Sequence, residues 1–108
     1  MAEVDKRASQ FVMTYGDKLR ASSFSELSRN LGQVEKRTEL SVPDELKPYR
    51  FSLISAPLKD GRIRLIVEGW RPILWGIVQN RAMDAFDVFP DGTIKEIPKS
   101  DEDYCGRV

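Results

Sequence analysis

At Pro48 the apolar periodicity of this chain changes from helical to strand-like, and that switch limits the fold more than any other feature. Upstream, Val4, Ala8, Phe11, Val12, Tyr15 and Leu19 recur at the three-and-four spacing of one helical face, with Lys6, Arg7, Gln10, Asp17 and Lys18 mostly elsewhere. The spacing predicts an amphipathic helix over about residues 3–21. Ser23-Phe24-Ser25-Glu26 then has capping-box spacing, Phe24, Leu27 and Leu31 follow, and Gly32 suits a left-handed C-terminal position. These residues predict a short second helix.

Downstream of Pro48, Tyr49, Phe51 and Leu53 alternate with Arg50 and Ser52, and Ile63, Leu65 and Val67 alternate with Arg62, Arg64 and Glu68. Asp60-Gly61 between them is a tight-turn dipeptide, so the pair reads as a β-hairpin with one buried face. A second strand pair is predicted from the apolar run Ile73 to Gln79, from Phe86 and Val88 around Asp87, and from Asp91-Gly92 leading into Thr93 to Ile97. Pro57, Pro72, Pro90 and Pro98 mark strand ends or edges. Residues 33–48 read as an irregular connection with room for one edge strand, Pro43 and Pro48 bracketing a single helical turn.

The expected architecture is α+β. An N-terminal amphipathic helix and a short second helix pack on one face of an antiparallel meander of four or five strands, and the other face stays wet. At 108 residues the chain forms a single domain: a helical part (1–32), the connection (33–48), the sheet (49–98) and a polar tail (99–108). With 41% apolar and 31% charged residues, it can bury enough surface to offset chain entropy.

The chain has no histidine, which excludes Ser-His-Asp and Cys-His nucleophile systems and the commonest metal ligand. A lone Cys105 excludes an intrachain disulfide and a Cys-rich zinc site. The longest apolar run is far shorter than the roughly 20 residues of a membrane span, and the start MAEVDKRASQ has no apolar signal core. These features predict a cytoplasmic protein, neither membrane-bound nor cofactor-dependent. Zero formal net charge gives no general attraction to nucleic acid.

Charge is balanced overall but not locally. Residues 50–81 carry six basic side chains (Arg50, Lys59, Arg62, Arg64, Arg71, Arg81) against Asp60 and Glu68, whereas residues 82–108 carry seven acidic side chains against three basic ones. One reading is a polar sheet face on which Arg62, Arg64 and Glu68, with Trp70 and Arg71, dock a protein partner through arginine forks and an aromatic anchor. The plainer reading is that basic and acidic strands are neighbours and neutralise each other across the ladder.

An apolar pocket between the first helix and a curled sheet, lined by Phe11, Tyr15, Phe51, Leu65, Trp75 and Phe86, is the route to small-ligand binding. The possible acids and bases are carboxylates, Tyr and Lys, and carboxylate pairs such as Asp84 with Asp87, or Glu68 with Asp87, could share a site. Regular strand parity puts Asp84 and Asp87 on opposite faces, so the chain reads as a non-enzyme. The dispersed glycines form no phosphate-binding motif, and Gly69 and Gly76 read as bulges or bends.

The helix-then-meander order, closing on Ala85-Phe86-Asp87-Val88-Phe89-Pro90-Asp91-Gly92-Thr93-Ile94, resembles two groups. One is small bacterial immunity-type proteins that neutralise a toxin; the other is cystatin-like sheets such as PepSY-type or NTF2-like domains. The likeness covers the last third of the chain and carries no functional residue. It implies either a protein-binding immunity or inhibitor module, with a homodimer also compatible, or a small-ligand-binding cystatin-like or NTF2-like domain.

Overall fold

The computed structural model describes residues 6–31, 34–47, 49–72 and 78–97, with the side chains of residues 72 and 78–81 left aside. Helix α1 (Lys6–Arg20) buries Ala8, Val12 and Gly16, a stripe with four-residue spacing, which is the face the sequence periodicity predicts. Helix α2 (Phe24–Leu31) begins as the capping spacing requires: Glu26 N–H donates to Ser23 Oγ at 3.2 Å. The expected cap at Gly32 lies outside the described residues.

The strands are β1 (Lys36–Glu39), β2 (Arg50–Pro57), β3 (Ile63–Pro72), β4 (Val78–Val88) and β5 (Ile94–Glu96), and a single 3-10 turn spans Asp44–Leu46. They form a five-stranded antiparallel sheet in chain order, β1-β2-β3-β4-β5, with α1 against β3 and β4. The expected α+β meander is therefore present, and its fifth strand is β1, drawn from the connection. No helix among the described residues is long and apolar enough to cross a membrane.

One difference from the sequence reading concerns β4. The alternation suggests separate strands at 73–79 and around Phe86–Val88, but a single strand runs from Val78 to Val88. Gly69 pairs with Ala82 while Arg71 pairs with Gln79, so Asn80 and Arg81 together oppose Trp70. That extra residue in β4 interrupts the two-residue period and hides the continuity of the strand. Residues 73–77, and with them Gly76, lie outside the described residues.

Gly69 has a second role. A Cβ there would lie 2.5 Å from Phe51 Cε1, because the ring of its cross-strand partner lies over it. Phe51 in turn meets Phe11 of α1 with ring centroids 4.2 Å apart, and with Leu65, Val67, Phe86 and Val12 it forms the centre of the core.

Both Asp-Gly turns are three-residue hairpin loops. Gly61 N–H donates to the Leu58 carbonyl and Gly92 N–H to that of Phe89, each glycine at a positive φ of 93° and 91° respectively. Asp60 and Asp91 each accept a main-chain N–H two residues on, from Arg62 and Thr93.

The second sheet face is drier than simple alternation predicts. Ile66 is only 1% exposed there, clustered with Ala85 and the partly buried Ile54, Met83 and Ile97. Arg62 and Arg64 on this face are largely covered, and their charged ends meet a buried carboxylate.

Candidate functional site

The arginines of the sheet fall into two groups, and the register explains why. Arg64 on β3 stands directly opposite Asp87 on β4, and it grips both carboxylate oxygens, Nε to Oδ1 at 2.9 Å and Nη2 to Oδ2 at 3.1 Å. Arg62, two residues earlier on the same face, adds Nη1 to Asp87 Oδ2 at 3.0 Å and Nε to Asp60 Oδ2 at 2.8 Å, its guanidinium lying over Phe89. Asp87 is 1% exposed, so its charge is tolerated only because two cations meet it. Glu68 is buried as well and accepts Arg37 Nη1 at 2.6 Å, a pair that reaches from β1 across β2 to β3.

Arg62, Arg64 and Glu68, expected at a partner-binding face, are thus joined to carboxylates or cations of their own chain. Trp70 and Arg71 stand apart from that network. Trp70 is half-buried on the second face, opposite the exposed Arg50 of β2, and the exposed Arg71 follows it. Among the described residues, neither Arg50 nor Arg71 makes an ion pair. The β4 bulge lies beside this end of β3, the irregularity that re-aims side chains at a sheet rim.

A charge cluster that sequence reasoning missed lies on the helix side. Arg20, at the end of α1, donates Nη1 and Nη2 to Asp84 Oδ2 and Oδ1 at 2.8 and 2.7 Å. It also donates Nε and Nη2 to Glu96 at 2.9 and 2.6 Å and sits 4.1 Å from the centroid of Phe86. The Asp84 hydrogen bonds, with Glu96 adding to them, push the guanidinium pKa above its ordinary value. Asp84 comes this close because Gly16 leaves a notch in α1, where a Cβ would lie 2.0 Å from Asp84 Oδ2. The sequence holds the signal: Gly16 continues the Ala8 and Val12 stripe, and Asp84 shares parity with Phe86.

Of the residues expected to line a pocket, Phe51, Leu65 and Phe86 are fully buried and contiguous, and Phe11 and Tyr15 pack against them. Trp75 lies outside the described residues. An open groove of about 290 Å³ lies instead between α1, at Arg7, Gln10, Phe11 and Thr14, and the segment Pro43, Glu45 and Leu46. It shares Phe11 alone with the expected lining.

Asp84 and Asp87 lie on opposite faces in separate ion-pair networks, and Glu68 and Asp87 likewise have different cations. Among the described residues, no three His, Cys, Asp or Glu side chains gather where they could hold a metal ion. No family model, curated protein or solved structure matches the chain.

Proposed function

We propose that this chain is a non-catalytic protein-binding module whose contact surface is the bulged end of the sheet, a rim that carries Trp70 and Arg50 side by side on the second face and Arg71 next to Trp70 with the opposite parity. The observation that supports this reading is the contrast in charge pairing. Arg62, Arg64 and Arg37 are bonded to Asp87 and Glu68, whereas Arg50 and Arg71 make no ion pair among the described residues. A half-buried indole flanked on its own face by Arg50, with Arg71 at the same rim, and neither arginine ion-paired among the described residues, suits a partner that wraps the sheet end and presents carboxylates around an apolar side chain. An immunity or inhibitor role is one concrete form of this activity, with an acidic surface on the neutralised protein.

The test is capture followed by reconstitution. Immobilised wild-type chain retains a partner identified by mass spectrometry, and the purified partner binds again in titration. Arg50→Glu with Arg71→Glu abolishes that binding while the circular dichroism spectrum is unchanged. Full binding by the double variant overturns the assignment.

A second reading rests on the groove beside α1. Its floor of Phe11, Pro43 and Leu46 and its rim of Gln10, Thr14 and Glu45 would hold a small apolar ligand with one polar end. A groove-filling Thr14→Trp variant that leaves uptake of a fluorescent apolar dye unchanged removes this reading.

A further inference from the structure

We infer that β1 is a self-pairing edge through which two copies of this chain join into one continuous antiparallel sheet, with Thr38 on the two-fold axis. The sheet order leaves β1 at one edge, and all four of its residues are exposed. Leu40 N–H donates to the Phe51 carbonyl at 2.9 Å, in the same register that pairs Thr38 with Leu53 and Lys36 with Ser55. Even-numbered residues therefore direct their main-chain groups to β2, and Arg37 and Glu39 direct theirs outward, because hydrogen-bonded and non-hydrogen-bonded pairs alternate along an antiparallel ladder.

That parity restricts what a second copy can do. An antiparallel partner must set outward-facing residues against outward-facing residues, so Arg37 meets Arg37, or Glu39 meets Glu39, or Arg37 meets Glu39. Only the third avoids like charges face to face, and by symmetry it forms twice. Each Arg37–Glu39 pair then exchanges both main-chain hydrogen bonds, and Thr38 lies opposite Thr38 across the axis.

The side chains are free to take part. Arg37 uses Nη1 on Glu68 and keeps its other donors, its side chain 55% exposed, and Glu39 makes no ion pair among the described residues. Charge on an edge strand ordinarily discourages pairing; this edge carries both signs, in an order that a second antiparallel copy complements. Continuing the register brings Val34, 63% exposed, toward Val42 of the second copy.

Sedimentation equilibrium on the Cys105→Ser chain tests this. A monomer–dimer equilibrium is expected, with Glu39→Arg weakening it about tenfold or more by placing arginines opposite each other. Glu39→Gln, which removes the carboxylate without adding a like charge and leaves the Arg37–Glu68 pair intact, weakens dimerisation less than Glu39→Arg does. At the axis, a non-hydrogen-bonded pair brings Cα atoms to about 4.5 Å, within disulfide range, so Thr38→Cys forms a covalent dimer under mild oxidation. The control Lys59→Cys does not. A chain that stays monomeric into the millimolar range, or one that dimerises undisturbed by Glu39→Arg and without the Thr38→Cys cross-link, overturns the inference. Circular dichroism shows whether each variant is folded.

Discussion

Arg20 and Asp84 are locked in a two-point bond, both guanidinium terminal nitrogens on both carboxylate oxygens, directly under the notch left by Gly16. The pair ties the end of α1 to the middle of β4 across 64 positions of sequence. With side chains 17% and 7% exposed, both partners have lost much of their hydration. Removing one leaves the other stranded, and Arg20→Met is expected to cost about 3 kcal/mol. Replacing both, as Arg20→Met with Asp84→Leu, should recover most of that loss. Gly16→Ala, which alone would favour a helix by about 1 kcal/mol, is expected to destabilise the wild type and to become neutral or stabilising once Asp84 is replaced by Ser. Urea denaturation of the set measures each step, and a Gly16→Ala chain more stable than wild type would contradict this geometry.

The Ser55 hydroxyl is fully buried and has no hydrogen-bond partner among the described residues. Ser55→Ala removes a desolvated group and loses no bond, so it should raise stability by about 1 kcal/mol. Thermal melting checks this, and a lower midpoint would show that the hydroxyl is satisfied in solution.

The arginines of β3 should differ in their effects. Arg64→Ala leaves Asp87 short of its two-point partner and lowers stability by about 1–3 kcal/mol, while folded protein keeps its affinity for a binding partner. Arg71→Ala does the reverse: stability stays within about 0.5 kcal/mol of wild type and affinity falls. Paired unfolding and titration measurements separate the two roles.

Acid should loosen the hairpin turns. The Thr93 main-chain N–H bound to Asp91 holds that carboxyl below its ordinary pKa, and the Arg62 side chain and main chain do the same for Asp60. A carboxylate whose folded-state pKa is lowered adds stability above its unfolded pKa and loses it as pH falls through the folded value. Asp91→Asn keeps an oxygen for Thr93 but cannot titrate, so its stability should fall less steeply on acidification than that of wild type. Urea midpoints between about pH 6 and about pH 2 record the difference.

Periodicity made the architecture legible in the sequence. The stripe of Ala8 and Val12, the Ser23 cap and the alternation of Phe51, Leu53, Ile63, Leu65 and Val67 are local signals, and local signals place helices, strands and turns. What escaped reading depends on register. Asn80 and Arg81 share one partner, so the β4 bulge cannot be seen in either strand alone. Arg20 and Asp84 meet only once α1 has docked. The candidate contact surface was half visible, since Trp70 and Arg71 stand out by composition. Arg50 emerged only from its position opposite Trp70, and which arginines are already neutralised depends on Asp87 lying beside Arg64.

Because each strand pairs with its neighbour in the chain, the sheet can assemble by successive hairpin closures over short loops, each with a small entropic cost. Helix α1 packs on β3 and β4 and is anchored on β4, so its final docking is expected after those strands have paired. On that order, the turns are expected to set the rate of assembly and the helix clasp the lifetime of the native state. Turn substitutions such as Gly61→Ala should slow refolding, whereas Arg20→Met should act mainly by hastening unfolding, and the two arms of a chevron plot distinguish them.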